Sequence, residues 1–509
     1  MWVLLALLVL FCAVIARFAT GPKGPTRLPP GPPRVPIIGS IPFVPREFRI
    51  KGRGLHTPKL FHYLARKYGP VCHIWLGPVP TIVISDAKIL REAFKSNNMS
   101  SRPIMKPFHE FRYGSQDGTQ RGLVLSSGKE WEDQRKFTIK QLKGLGLARK
   151  SMESMILYEI GQLADLLTEE LDEPIDLCFK TNLSVVNALW MILVGERLSL
   201  DDQRLIRIVQ SIENVLKSAQ VASLLALLLP NVFKMISPRF ERAKVMFEEC
   251  KSLMRTAINA HIASRDDNNS DFIHVYLNEI DQHDLESSSF CGEKGLQSLE
   301  IVLIDLFIGG SETTSTSINW TILYLLHNPE VQDKIHAELD RVVGRSRDDP
   351  PNLCHNLELD YMNAVIAESM RKSTVVSSGV PHHVDEDTWI GDYFFPRGTS
   401  VMANLTYIHH DPQLWENPEE FNPDRFLGPS GHFVASPNVM PFSVGKRFCL
   451  GKELAEQEFY LFLSGLLHRF RFENPPDQDL PNISFCHDDV NTGFLRYPPS
   501  YNVILRPRF

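Results

Sequence analysis

Read for its apolar and polar positions, the chain is mixed but mostly helical. LFHYLARKYG, Leu60–Gly69, has the spacing of a helix closed by Gly69, while VCHIWLG and TIVIS read as paired strands around a turn at PVP, Pro78–Pro80. From about Trp131 to Leu326 the pattern is helix-rich, and LQSLEIVLIDLFIGGSETTSTSINWTILYLL, Leu296–Leu326, is unusually long for one helix. DTWIGDYFFPRGTSVMANL, Asp387–Leu405, returns to strand-like segments.

The front end differs. MWVLLALLVLFCAVIA, residues 1–16, carries no charge. As a helix it reaches roughly 24 Å, enough for a thin bilayer with help from its flanks. Arg17, Lys23 and Arg27 follow it and nothing basic precedes it, so the pattern predicts an anchor with the body of the protein on the cytosolic side. The alternative is a cleaved signal peptide ending at Ala16. Residues 17–45 include LPPGPPRVP, which cannot propagate a helix and is expected to act as a stiff spacer or hinge. Residues 46–509 contain no repeat or flexible linker and are expected to form one large domain.

Composition narrows the function. Hydrophobic residues are 43% and charged residues 22% of the 509, ordinary values for a packed chain. The net charge of −6 provides no basic field for nucleic acid, which excludes that partner. Eight scattered cysteines without a CxxC pair suit a reducing compartment.

One cysteine has an informative context. In PFSVGKRFCLG, Phe442, Gly445, Arg447, Cys449 and Gly451 form FxxGxRxCxG, a pattern whose chance occurrence has odds on the order of 10⁻⁴. Each residue has a task if Cys449 is an axial haem ligand. The glycines let the backbone turn beneath a flat macrocycle, and the following helix end favours the thiolate. Phe442 shields the sulfur, Arg447 binds a haem propionate, and the thiolate pushes electron density onto iron. A second stretch, GGSETTS, places Gly309 and Thr313 four apart, so the threonine hydroxyl can bond the Gly309 carbonyl and open the helix into a groove for O₂ and water.

On these motifs the chain resembles the cytochrome P450 family, animal microsomal type, with an arthropod-like, clan 2-like character. The resemblance runs from the anchor to the C-terminal strands. It implies a mainly α fold with small β-sheets, haem b lying between the long central helix and the cysteine loop. It also implies roles for matching residues. Glu368 and Arg371 of ESMR, about eighty residues before the cysteine, form a structural cluster with Arg425 of FNPDRF. Trp131, Arg135 and His382 join Arg447 as propionate ligands. Glu312 and Thr313 are the acid and alcohol that deliver protons to oxygen. Phe108, Phe111, Ile308, Gly309, Val375, Val376, Val380, Phe494 and Leu495 match substrate-contact regions, all of them apolar or glycine.

The expected function is a haem-thiolate monooxygenase that inserts one oxygen atom from O₂ into a lipophilic terpenoid, steroid, fatty-acid derivative or xenobiotic. Electrons come from an NADPH-cytochrome P450 reductase, with cytochrome b5 as a further donor, since the chain has no dinucleotide motif of its own. Lys136, Lys140, Lys143, Lys446 and Lys452 are expected to make a basic docking face. The apolar run Val221–Phe233 is expected to meet membrane lipid, and the protein to sit in the endoplasmic reticulum membrane. There the sequons at Asn98, Asn182 and Asn404 go unused. Ser377 and His383 stand where many relatives carry proline and arginine. The competing readings are a haem-thiolate isomerase or dehydratase working without reductase, and a non-catalytic haem sensor or carrier.

Overall fold

The computed structural model describes residues 28–36, 38–50, 54–104, 119–145, 150–218, 238–264, 271–285, 287–484, 491–492 and 495–509. The expected anchor, residues 1–16, and the apolar run Val221–Phe233 lie outside them. Helices dominate. In chain order they are α1 Thr57–Tyr68, α2 Ala87–Lys95, α3 Gly128–Gly144, α4 Lys150–Thr168, α5 Leu177–Val194, α6 Gln203–Ser218 and α7 Pro238–Ala263. There follow α8 Phe272–Asp281, α9 Gly292–Gly310, α10 Glu312–His327, α11 Pro329–Val342, α12 Asp360–Ser373, α13 Leu405–His409 and α14 Lys452–Arg469.

The main core lies among α4, α5, α9, α10 and α14, filled by Leu163, Leu193, Phe307, Trp320 and Leu463. Helix α5 is largely apolar because most of it is enclosed, from Thr181 to Trp190 without a break. It is long and apolar enough to cross a membrane, yet it is a buried core helix. The Asp176 carboxylate accepts from the Cys178 amide at its start, and Gly195, with φ 75°, ends it.

The long apolar segment is two helices rather than one. Between α9 and α10 sits Ser311, whose hydroxyl donates to the Phe307 carbonyl at 2.6 Å, while Thr313 donates to Gly309 at 2.7 Å. Successive hydroxyls bonding back to the helix, beside a glycine pair with no side chains to pack, are enough to interrupt the ladder.

Strands β1 Val71–Leu76 and β2 Val79–Ile84 form the predicted hairpin. Strand β2 then pairs in parallel with β4 Ser400–Ala403, and β3 His382–His383 closes the sheet against β4 in the order β1-β2-β4-β3. This pairing carries segments some three hundred residues apart in sequence to one sheet. Residues 387–405 resolve into the hairpin Thr388–Ile390 with Tyr393–Phe395, then β4, and finally the start of α13 rather than strand.

The proline-rich hinge needs correction. From Pro29 onward it is docked on β1: the His73 amide donates to the Pro30 carbonyl at 2.9 Å and the His73 ring bonds the Pro29 carbonyl at 2.6 Å. Ser40 bonds Trp75 from both its backbone and its hydroxyl, and the Arg34 guanidinium lies 4.1 Å over the Trp75 ring. A chain that cannot form a helix exposes its carbonyls, and an adjacent strand supplies the donors. From Pro29 onward the segment is therefore packed on β1 instead of standing free as a spacer.

Candidate active site

The cysteine loop runs from Met440 into α14, with Gly451 capping the helix. The Cys449 amide donates to the Phe442 carbonyl at 2.9 Å, closing the loop on itself. Gly445 has φ 77°, and a Cβ there would collide with the Phe94 carbonyl on α2. Both glycines are expected beneath the macrocycle; Gly445 is held to glycine by α2 as well. Gly451 has ordinary φ, and a Cβ there would meet no atom within 4 Å, as would one at Gly309 across the α9 end.

Cys449 is exposed, yet enough protein surrounds its sulfur that desolvation raises the thiol pKa above its ordinary value. A bond from the Gly451 amide and the nearby Arg135 charge act the other way without overcoming it. The helix end alone therefore does not make a thiolate, and a bound metal ion is what would hold the proton off. Among the described residues no three His, Cys, Asp or Glu side chains gather as a metal site. A prosthetic group that carries its own metal ligands, as a porphyrin does, suits a lone cysteine of this kind.

Three guanidinium groups converge beside this loop. Arg447 is buried and lies 3.7 Å over the Trp131 ring, donating to the Ser100 and Ser126 carbonyls at 2.6 Å each. Arg102, also buried, donates to Val124 at 3.1 Å and to Val380 and Pro381 at 2.9 Å. Arg135, one turn beyond Trp131 on α3, donates to the Phe448 carbonyl at 2.8 Å. Among the described residues no carboxylate pairs with any of the three. Burial, then Arg102 and Arg135, push Arg447 down to about 8; burial and then Arg135 push Arg102 to about 9. A guanidinium does not give up its proton in a protein, so these charges stay buried and close together, where desolvation first and mutual repulsion second favour an anion beside them.

His382 stacks on Phe94 at 3.7 Å and bonds the Met99 carbonyl at 2.6 Å. Burial, with Arg102 and Arg447 adding to it, pushes its pKa well below the usual histidine range. The cluster fits a flat group carrying two carboxylates and a thiolate-bound metal, as haem b does. Sequence reasoning missed Arg102: it precedes Pro103 in a segment without periodicity, and only the fold carries it beside Arg447.

On the helix side, Thr313 and Ile308 are partly exposed and Gly309 fully so, along one face of the α9–α10 junction. Glu312 is turned elsewhere. It is buried, and Asn182 of α5 donates to its carboxylate at 2.6 Å. Ser315 donates to the Asn182 carbonyl oxygen at 3.3 Å, completing the link between α5 and α10. The expected acid and alcohol are adjacent in sequence but face different ways.

Of the matched substrate positions, Val376 and Val380 are partly buried, and Ile308 lines a small apolar gap with Ile208, Ile212, Met254 and Phe307. Val375 and Leu495, at 7% and 1% exposed, pack in the core. Phe108, Phe111 and Phe494 lie outside the described residues. The structural cluster is assembled as expected, with Arg371 bonding Glu368 at 2.6 and 2.8 Å and Arg425 at 3.2 Å. The lysines on the cysteine side are exposed, but Lys143 pairs with Glu453 at 3.5 Å and Lys452 with Glu456 at 3.8 Å. The face is less basic than a count of lysines predicts.

Comparison with known proteins gives one family. The family model described as Cytochrome P450 matches residues 29–505. Cytochrome P450 2L1 of Panulirus argus is 33% identical over 500 residues, covering 96% of each chain. Cytochrome P450 2J2 of Homo sapiens is 33% identical over 473 residues, covering 91% of this chain and 89% of that relative. Cytochrome P450 2C23 of Rattus norvegicus is 31% identical, covering 95% and 94%.

Proposed function

Because the chain belongs to the cytochrome P450 family and is a haem-thiolate monooxygenase, we propose that it oxidises a neutral, largely hydrocarbon substrate with electrons from an NADPH-dependent reductase. The observation that carries this reading is the accessible Cys449 beside three guanidinium groups that pair with no carboxylate among the described residues.

When bound, haem supplies the site that binds O₂ and receives electrons. The chain supplies the rest. Cys449 would hold the iron through its thiolate, and Arg102, Arg135, Arg447 and Trp131, with His382, would hold the two carboxylates. The Thr313 hydroxyl, bonded to the Gly309 carbonyl, can exchange that acceptor for one on the open face and hand over a proton there. Glu312 serves the same relay only after its carboxylate leaves Asn182, which makes a side-chain rotation part of proton supply. Ile308, Val376 and Val380 provide apolar surface that favours substrates bound by area rather than by charge.

The reductase, with cytochrome b5 as a second donor, would approach through the lysines on the cysteine side. Among the described residues Lys143 and Lys452 are the ones drawn into ion pairs with acids, so steering is weaker than five lysines would give. The apolar segment Met1–Ala16 would hold the domain on the endoplasmic reticulum membrane, where lipophilic substrates concentrate.

Three measurements test the reading. Cys449→Ser is expected to abolish the thiolate-type carbon monoxide difference band together with turnover, and a variant that kept the band would remove Cys449 as ligand. Thr313→Ala is expected to retain haem and substrate binding while diverting NADPH electrons to peroxide; unchanged product per NADPH would remove Thr313 from the relay. Turnover of a terpenoid and steroid panel with added reductase, against a charged metabolite panel, checks the substrate class. Product formation without reductase would favour isomerase chemistry instead.

A further inference from the structure

His409 ends α13 and is fully buried. The Met440 amide donates to its Nε2 at 2.9 Å, so Nε2 is the bare nitrogen and the ring proton sits on Nδ1. Nδ1 lies 2.9 Å from the Thr374 Oγ1, and that hydroxyl in turn donates to the Arg371 carbonyl at 2.7 Å. Every proton in this chain is thereby assigned. The Arg371 guanidinium also donates to the His409 carbonyl at 2.7 Å, and burial followed by this charge keeps the imidazole neutral.

The two ends of the chain are not equivalent. Met440 directly precedes the loop that carries Cys449, and its carbonyl accepts from the Ser443 amide at 3.0 Å within that loop. Thr374 caps α12 and opens the segment 374–382, which presents Val376 and ends on the Val380 and Pro381 carbonyls held by Arg102. Thr374 has φ 38° and ψ 58°, a left-handed conformation that a β-branched residue adopts only when its surroundings compel it. The bonds to Arg371 and His409 supply that compulsion. A buried histidine with a single partner would be an ordinary core residue; this one spans two walls of the site.

We propose that His409 is a positioning residue that ties the cysteine loop to segment 374–382, so that a ligand pressing on Val376 is felt at Cys449 through one imidazole. This rests on the reading of Cys449 as the haem ligand. The two nitrogens have separable mimics. Glutamine at 409 offers an oxygen near the Nε2 position and keeps the Met440 bond; asparagine offers an N–H near the Nδ1 position and keeps the Thr374 bond.

The experiment uses purified holoenzyme with phenylimidazole as the apolar probe, its spectral affinity read beside the carbon monoxide band and hydrogen exchange of the Met440 amide. His409→Gln is expected to keep the thiolate-type band and the amide protection while weakening phenylimidazole by roughly three- to tenfold, the loss of one buried bond. His409→Asn is expected to keep phenylimidazole affinity within about twofold while losing amide protection and part of the thiolate-type band. Thr374→Val should follow the glutamine variant and Thr374→Ser the parent, which keeps the test alive if either 409 variant fails to fold. Glutamine and asparagine variants that behave alike in both readouts, together with equal Thr374 variants, would overturn the tie. Absence of the thiolate-type band in the parent protein would instead overturn the ligand assignment, with Met440 protection still reporting on His409.

Discussion

Two groups of arginines, each with a buried member at its centre, are built on opposite principles. Around Glu368, Arg371 and Arg425 share one carboxylate, which also accepts from the Asn422 amide at 2.9 Å, and both Glu368 and Arg371 are wholly enclosed. Around Trp131, Arg102, Arg135 and Arg447 face one another with backbone carbonyls but no carboxylate among the described residues. The first group is complete as it stands. The second is satisfied in hydrogen bonds and unsatisfied in charge, the condition of a site whose anion arrives from outside.

The largest effect should come from removing the shared acid. Glu368→Ala leaves two buried cations without a counter-charge and is expected to cost roughly 3–5 kcal/mol, seen as loss of folded, haem-loaded protein or a steep fall in thermal midpoint. A cost below about 1 kcal/mol would break the contrast between the groups.

Glu458 extends the contrast to an acid without any cation. It is buried on α14, its Oε1 has no hydrogen-bond partner, and burial pushes its pKa up to about 8. A carboxyl raised in the folded state binds its proton there while the unfolded chain has lost it. Stability is therefore highest below about pH 4.5 as far as this group is concerned, and falls as pH rises from 4.5 toward 8. Glu458→Gln should flatten that part of the profile, measured by denaturant midpoint at several pH values. A profile unchanged by the substitution would show that Glu458 finds a counter-charge.

The smallest effect on the fold is expected from Arg135→Met. Arg135 is partly exposed and holds one backbone carbonyl, so the change should shift stability by less than about 1 kcal/mol. Haem should nevertheless pass to an acceptor protein several-fold faster, because one of the cations facing its carboxylates is gone. Equal haem retention in parent and variant would place Arg135 outside the anion site.

Much of this was legible in the chain. The cysteine loop, the helical core, the β1–β2 hairpin and the Thr313–Gly309 bond follow from spacing, because each depends on residues within a turn or two of one another. The Glu368 pairing was legible in part, since Arg371 is three residues away while Arg425 was supplied by family resemblance. What the chain did not disclose shares one property. Arg102 beside Arg447, Asn182 on Glu312, His409 between Thr374 and Met440, and the docking of Pro29 and Pro30 on β1 each join residues 30 or more positions apart. Glycines show the same division: a cysteine between two of them was visible in sequence, but that Gly445 yields to the Phe94 carbonyl was not. Local patterns decide which elements form and which side chains are chemically able, since those are matters of backbone preference and nearest neighbours. Which charges meet, and whether a counter-charge meets them, is decided only by how helices and strands pack, because electrostatic energy depends on distance through space and on burial rather than on position along the chain.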